Sequence, residues 1–97
     1  MAELKNENAK KVLEYVVSND GADFTAQDIS TALGIGIKSV NGIVTMSFCR
    51  HKDENGNEVP LMEREETTAT IDGKPKIIKY IRLTSAGKAF AAELGIQ

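Results

Sequence analysis

Residues 24–46 read FTAQDISTALGIGIKSVNGIVTM, and how this stretch folds decides the architecture. Thr25 and Asp28 have the spacing of a capping box. In that motif the Thr25 hydroxyl accepts the Asp28 N–H, and the carboxylate reaches back to the Thr25 N–H. Phe24 and Ile29 occupy the positions of a hydrophobic staple, which fixes the angle at which the chain enters a helix. A helix is therefore predicted from about Ala26 to Leu33, with Ile29, Ala32 and Leu33 inward and Gly34 as its C-cap. The next residues send two signals. Asn41-Gly42 between β-branched neighbours is hairpin chemistry. Val40, Ile43, Val44 and Phe48 instead fit a helical period, whereas Ile37 and Val40 have opposite strand parity. The helical reading is preferred, because the cost of Gly42, about 1 kcal/mol relative to Ala, is one that packing can offset. Two helices joined by the short turn Gly34-Ile35-Gly36 form a helix-turn-helix, expected over about residues 25–49.

Upstream, Ala9, Val12, Leu13, Val16 and Val17 mark one face of a first helix from Asn8 to Ser18. Asn6 or Asn8 is available as its cap, and Asn19-Asp20-Gly21 stops it. Downstream, KDENGNEVP at 52–60 reads as a polar loop. Two strands are expected, Leu61 to Thr70 and Lys76 to Leu83, the second carrying Ile77, Ile81 and Leu83 on one face. Ile71-Asp72-Gly73-Lys74-Pro75 joins them, with Asp72-Gly73 as the turn chemistry. Thr84 or Ser85 caps a last helix reaching about Leu94, with Ala86, Ala89, Phe90 and Leu94 apolar. The order α, α, α, β, β, α is an α+β layout. It corresponds to a small winged helix-turn-helix: a three-helix bundle, a two-stranded wing at about 61–83, and a C-terminal helix.

The 97 residues make one small domain, 1–97, with 41% apolar and 27% charged residues. No apolar run is long enough for a transmembrane helix, so no membrane partner is expected. The N-terminus MAELKNENAKK lacks the apolar stretch of a secretory signal. A single cysteine, Cys49, excludes an internal disulfide framework and suits a reducing cytoplasm. The protein is expected to be cytoplasmic and of prokaryotic or phage type.

Net charge is −2, but it is unevenly spread. Residues 36–52 carry Lys38, Arg50 and Lys52 with no acid, and residues 67–97 carry five bases against Asp72 and Glu93; each block is +3. The acids gather at 1–35, net −3, and at 53–66, net −5. A field of one sign on one surface matters more for docking than the sum.

FTAQDISTALGIGIKSVNGIVTM at 24–46, LMERE at 61–65 and YIRLTSAGKAF at 80–90 together resemble the winged helix-turn-helix regulators, especially the MarR-like bacterial transcriptional regulators. The first stretch is similar to the family's second helix, turn and recognition helix. The second is similar to the strand entering the wing. The third is similar to a strand ending in Leu-Thr before a helix with an early Gly. The resemblance covers about residues 9–94. It implies binding of double-stranded DNA, transcription regulation, and a homodimer on two half-sites. Gly36 stands where the family often has Ser or Thr as a helix cap, and the 52–60 loop is longer than usual.

On that reading the outward set of the third helix is Lys38, Ser39, Asn41, Gly42, Thr45 and Met46. Asn41 is suited to a bidentate contact with adenine, and Thr45 or Met46 to a thymine methyl. Lys38 and Ser39, near the helix start, are suited to phosphate. Lys74 and Lys76 at the wing tip are candidates for flanking backbone or the minor groove. Arg50 and His51 close the helix and are candidates for contact with backbone phosphate, although basic residues there are already explained by the macrodipole. The alternative is a protein partner: a docking winged helix, an adaptor or phage-encoded modulator, to which the negative net charge, the acidic loop and the sparsely charged recognition helix are suited. Catalysis is not expected. His51 is the single histidine, and no third group orients a Cys49–His51 pair. One Cys and one His cannot close a zinc site, the acidic loop lacks calcium-loop spacing, and no cofactor motif is present.

Overall fold

In a computed structural model, which describes residues 6–96, the chain forms four helices and one antiparallel hairpin. Met1–Lys5 and Gln97 lie outside the described residues, and with them the first part of the polar N-terminus and the ends of the expected 1–97 domain. The elements are α1 (Glu7–Ser18), α2 (Ala26–Leu33), α3 (Ile37–Ile43, continued by a π-helical turn, Val44–Cys49), β1 (Met62–Ile71), β2 (Lys74–Leu83) and α4 (Ser85–Glu93). No single helix among the described residues is long and apolar enough to cross a membrane.

Three of the four helices start where the sequence supplies a side-chain acceptor. The Asn6 side chain caps α1 by accepting from the backbone of Asn8 and Ala9. Thr25 and Asp28 form the reciprocal capping box of α2, and Phe24 and Ile29 beside it are both buried. Thr84 caps α4 through the Gly87 N–H. Gly34 closes α2 with φ 68°, a conformation that glycine adopts without strain.

The core gathers one face from every element. Val12, Leu13 and Val16 of α1 meet Ile29 of α2, Val40, Val44 and Phe48 of α3, Met62 and Ile81 of the hairpin, and Ala91 of α4. Ala32, expected inward, is exposed instead, because Ala26, Ile29 and Leu33 form the inner face of the short α2 and Ala32 lies off it. Val40, Val44 and Phe48 recur every four residues, longer than the 3.6 of an α-helix. The wider last turn keeps Phe48 under Val44, and Arg50 N–H accordingly bonds back to the Thr45 carbonyl five residues away.

The strands pair from Met62↔Leu83 to Ile71↔Lys74. Both are longer toward the turn than expected, so the connection is the two residues Asp72 and Gly73 rather than Ile71–Pro75. Their φ values of 53° and 76° are of the sign a type I′ hairpin turn needs at both positions. Beyond Arg64 and Ile81 the ribbon leaves the body, and from Glu65 to Lys79 only Ala69 and Ile78 are even half-buried. Ile77 keeps the strand parity of Ile81 and Leu83 but is 65% exposed, since the core ends before reaching it.

Leu61 joins helices to hairpin. Its N–H donates to the Phe48 carbonyl (2.9 Å), and its own carbonyl accepts the Thr84 N–H (3.1 Å). Gly87 packs directly over that carbonyl: a Cβ there would collide with the Leu61 oxygen and lie 2.6 Å from Leu83 Cδ1. Gly87→Ala is accordingly expected to lower stability by roughly 2–4 kcal/mol, read by urea denaturation. An unchanged midpoint would show that α4 shifts freely over Leu61.

Candidate nucleic-acid interface

The turn between α2 and α3 fixes how the third helix is presented. The two helices differ in direction by 118° across Gly34-Ile35-Gly36. The Ser30 hydroxyl fastens this turn by donating to the Ile35 carbonyl (2.5 Å). Gly36 gives no side-chain cap, so the first N–H groups of α3 have no side-chain acceptor.

Val40, Val44 and Phe48 take α3 into the core and leave its opposite side bare. Lys38, Ser39, Asn41, Gly42 and Arg50 are exposed, and Met46 is 64% exposed. Thr45, expected outward, is half-buried, because the π turn rotates it toward the body. Among the described residues, the side chains of Lys38, Ser39, Asn41 and Arg50 make no ion pair or hydrogen bond. His51 turns away from this face, its ring edge-on to Phe90 of α4 at 5.1 Å. Cys49 is half-buried, and burial pushes its thiol pKa up while Arg64 opposes that shift.

Directly paired residues share a face of the ribbon. Met62, Arg64, Glu66 and Thr68 with Leu83, Ile81, Lys79 and Ile77 form the face that continues the core. Lys74 and Lys76, opposite Ile71 and Ala69, belong to the other face. Both lysines are exposed and, among the described residues, without an ion pair. A cleft of about 330 Å³ separates α3 from the ribbon, lined by Thr25, Gln27, Asn41, Arg64, Ile77 and Lys79 among others. The structure thus brings Asn41 together with Arg64 and Lys79, while Lys74 and Lys76 stand out along the ribbon. Lys79 pairs with Glu66 at 3.9 Å, both groups exposed.

Arg64 escaped the reading of the sequence. Its one signal is position: it follows Met62 by two in a strand, hence on the same face, one step past the buried edge. Lys79 carries the same kind of signal relative to Ile81.

The acidic loop is ordered. Lys52 and Glu58 form an antiparallel bridge, and Asp53 accepts from the backbone of Asn55 (2.8 Å) and Asn57 (3.0 Å). No group of three or more His, Cys, Asp or Glu among the described residues could hold a metal ion. The chain matches no family model, no curated protein and no solved structure.

The Asn57 backbone N–H, with smaller help from Asn55, holds the Asp53 carboxyl below its ordinary pKa. A depressed folded-state pKa contributes stability above the unfolded value, and that stability is lost as pH falls through the folded value. The melting-temperature difference between wild type and Asp53→Asn should therefore be largest near neutrality. It should shrink as pH drops below about 4. A difference independent of pH would mean that the charge on Asp53 contributes nothing to the loop.

Proposed function

We propose that this chain is a winged helix-turn-helix domain that binds double-stranded DNA and regulates transcription, with α3 in the major groove and the β1–β2 hairpin as a wing on flanking backbone. The observation that carries this reading is the 118° turn at Gly34-Ile35-Gly36, which leaves the outer side of α3 exposed, the side chains of Lys38, Ser39, Asn41 and Arg50 having no partner among the described residues. A major groove about 12 Å wide admits such a helix. Lys38 and Ser39 then hold phosphate beside the uncapped first turn, Asn41 reaches an adenine edge, and Met46, with the less exposed Thr45, approaches a thymine methyl. Arg50 closes the helix near the backbone, and Lys74 and Lys76 add contacts along the wing. About 4–6 phosphate contacts per protomer make affinity steeply dependent on salt. A homodimer would place two such helices on two half-sites, and α1 and α4 offer the surface for it.

A protein-docking role has its own support in the exposure of Met46 and Ile77, 64% and 65%, and in the acidic loop at 52–60. Direct binding decides between them. Fluorescence polarisation with a mixed-sequence duplex should give micromolar or tighter binding that weakens strongly between about 50 and 200 mM salt. Lys38→Ala and Asn41→Ala should reduce it at unchanged melting temperature, Asn41→Ala by about 1–3 kcal/mol at the preferred site. Gly42 supplies a sharper discriminator. A Cβ there meets nothing within 4 Å, so Gly42→Ala should stabilise the free protein by about 0.5–1 kcal/mol. It should nonetheless weaken DNA binding, because the methyl enters the face apposed to the duplex. Absence of binding at low salt overturns the DNA reading in favour of a protein partner.

A further inference from the structure

We infer that Arg64 is the positioning residue of this interface, a brace that locks the hairpin onto α3 so that helix and wing meet one duplex as a rigid pair; this rests on the DNA-binding reading above. Arg64 is half-buried on the face of β1 that continues the core. Its Nη2 donates to the Asn41 carbonyl (3.4 Å) and its Nη1 to Cys49 Sγ (3.7 Å). One guanidinium thus spans the whole stretch that contains the π turn, from the residue assigned to read a base to the end of the helix. The planar fork makes this reach possible, and a lysine ammonium, a single point donor on a flexible stem, does not reproduce it.

The brace stands where the ribbon needs one. Past Met62 and Ile81 no buried side chain holds β1 and β2, and an isolated two-stranded hairpin is marginal in water. Two arginines fasten its base, one on each face. Arg82 ties the far face to the α1–α2 loop, donating to Asp23 (2.7 Å), to the Ala22 carbonyl (2.9 Å) and, across the strands, to Glu65 (2.8 Å). Arg64 alone among the described charged side chains joins the hairpin to α3. Ordering helix and hairpin before binding removes that cost from the encounter, which is how preorganisation raises affinity.

The test measures orientation and binding separately on wild type, Arg64→Met and Arg64→Lys. In residual dipolar couplings of the free protein, the amides of residues 66–79 should share one alignment frame with the helices in wild type. In both variants they should show reduced couplings that no longer fit it. Affinity for the preferred duplex should fall about tenfold in both variants. The slope of affinity against salt should stay at the wild-type value, whereas loss of a phosphate contact reduces it by about 1. Hairpin couplings in Arg64→Met that still fit the helix frame at full amplitude overturn the brace. So does a salt slope lowered by about 1, or Arg64→Lys behaving as wild type, since charge alone would then suffice. If wild type itself binds no duplex, the DNA reading fails, and the couplings still decide whether Arg64 braces the hairpin.

Discussion

The peptide of Leu61 is the constraint through which helices, hairpin and last helix are held to one another. Its N–H is taken by the Phe48 carbonyl at the end of the third helix, and its carbonyl by the N–H of Thr84. Both groups are in a buried setting, where an unpaired backbone donor or acceptor would cost about 1–3 kcal/mol. The side chain of Phe48 is fully buried, so the residue that accepts the Leu61 N–H is also a centre of the apolar core. Gly87 completes the joint by leaving the Leu61 carbonyl room beneath the first turn of α4. A third bond, from Ile81 N–H to the Phe24 carbonyl (3.0 Å), sets the other edge of β2 against the entrance to α2. The hairpin is therefore anchored at its base from both sides before any of its outer residues is considered.

Outward from this joint, charge replaces burial. The body is held by side chains with almost no exposure, whereas the ribbon is fastened by Arg64 and Arg82 and leaves most of its length in solvent. The carboxylates of Glu65 and Asp23 hold the Arg82 guanidinium firmly charged, raising its pKa further, so this anchor does not titrate in the working range. The outer side of α3 shows the opposite state: the side chains of Lys38, Ser39, Asn41 and Arg50 have no partner among the described residues.

Much of the fold was legible in local chemistry. The Thr25–Asp28 box, the Phe24–Ile29 staple and the left-handed Gly34 mark α2 without any knowledge of the rest of the chain. Asn41-Gly42 shows how tertiary packing overrides a local signal: hairpin chemistry yields to Val40, Val44 and Phe48, which have no other core to enter. What the sequence did not disclose depends on distance rather than on propensity. The π turn follows from a four-residue apolar spacing meeting a fixed core. The exposure of Ile77 follows from where the body ends. In the candidate site, the exposure of Lys38, Ser39, Asn41 and Met46 could be read from helical period. The gathering of Asn41 with Arg64 and Lys79 could not, because strand register brings those residues together from three segments. For the same reason Lys74 and Lys76 could be placed near the turn, but not on a face.

The ribbon's two long edges are unlike. Along β2 the distal half carries Lys74, Pro75 and Lys76, residues that discourage strand addition through charge and a missing donor. The distal half of β1, Thr67-Thr68-Ala69-Thr70-Ile71, carries neither charge nor proline, and among the described residues no strand pairs with its outer edge. Self-association at high concentration is thus insulated on one side of the hairpin and left open on the other. At crowded loading, the free backbone of Thr67–Ile71 is the segment through which this domain would nucleate intermolecular sheet.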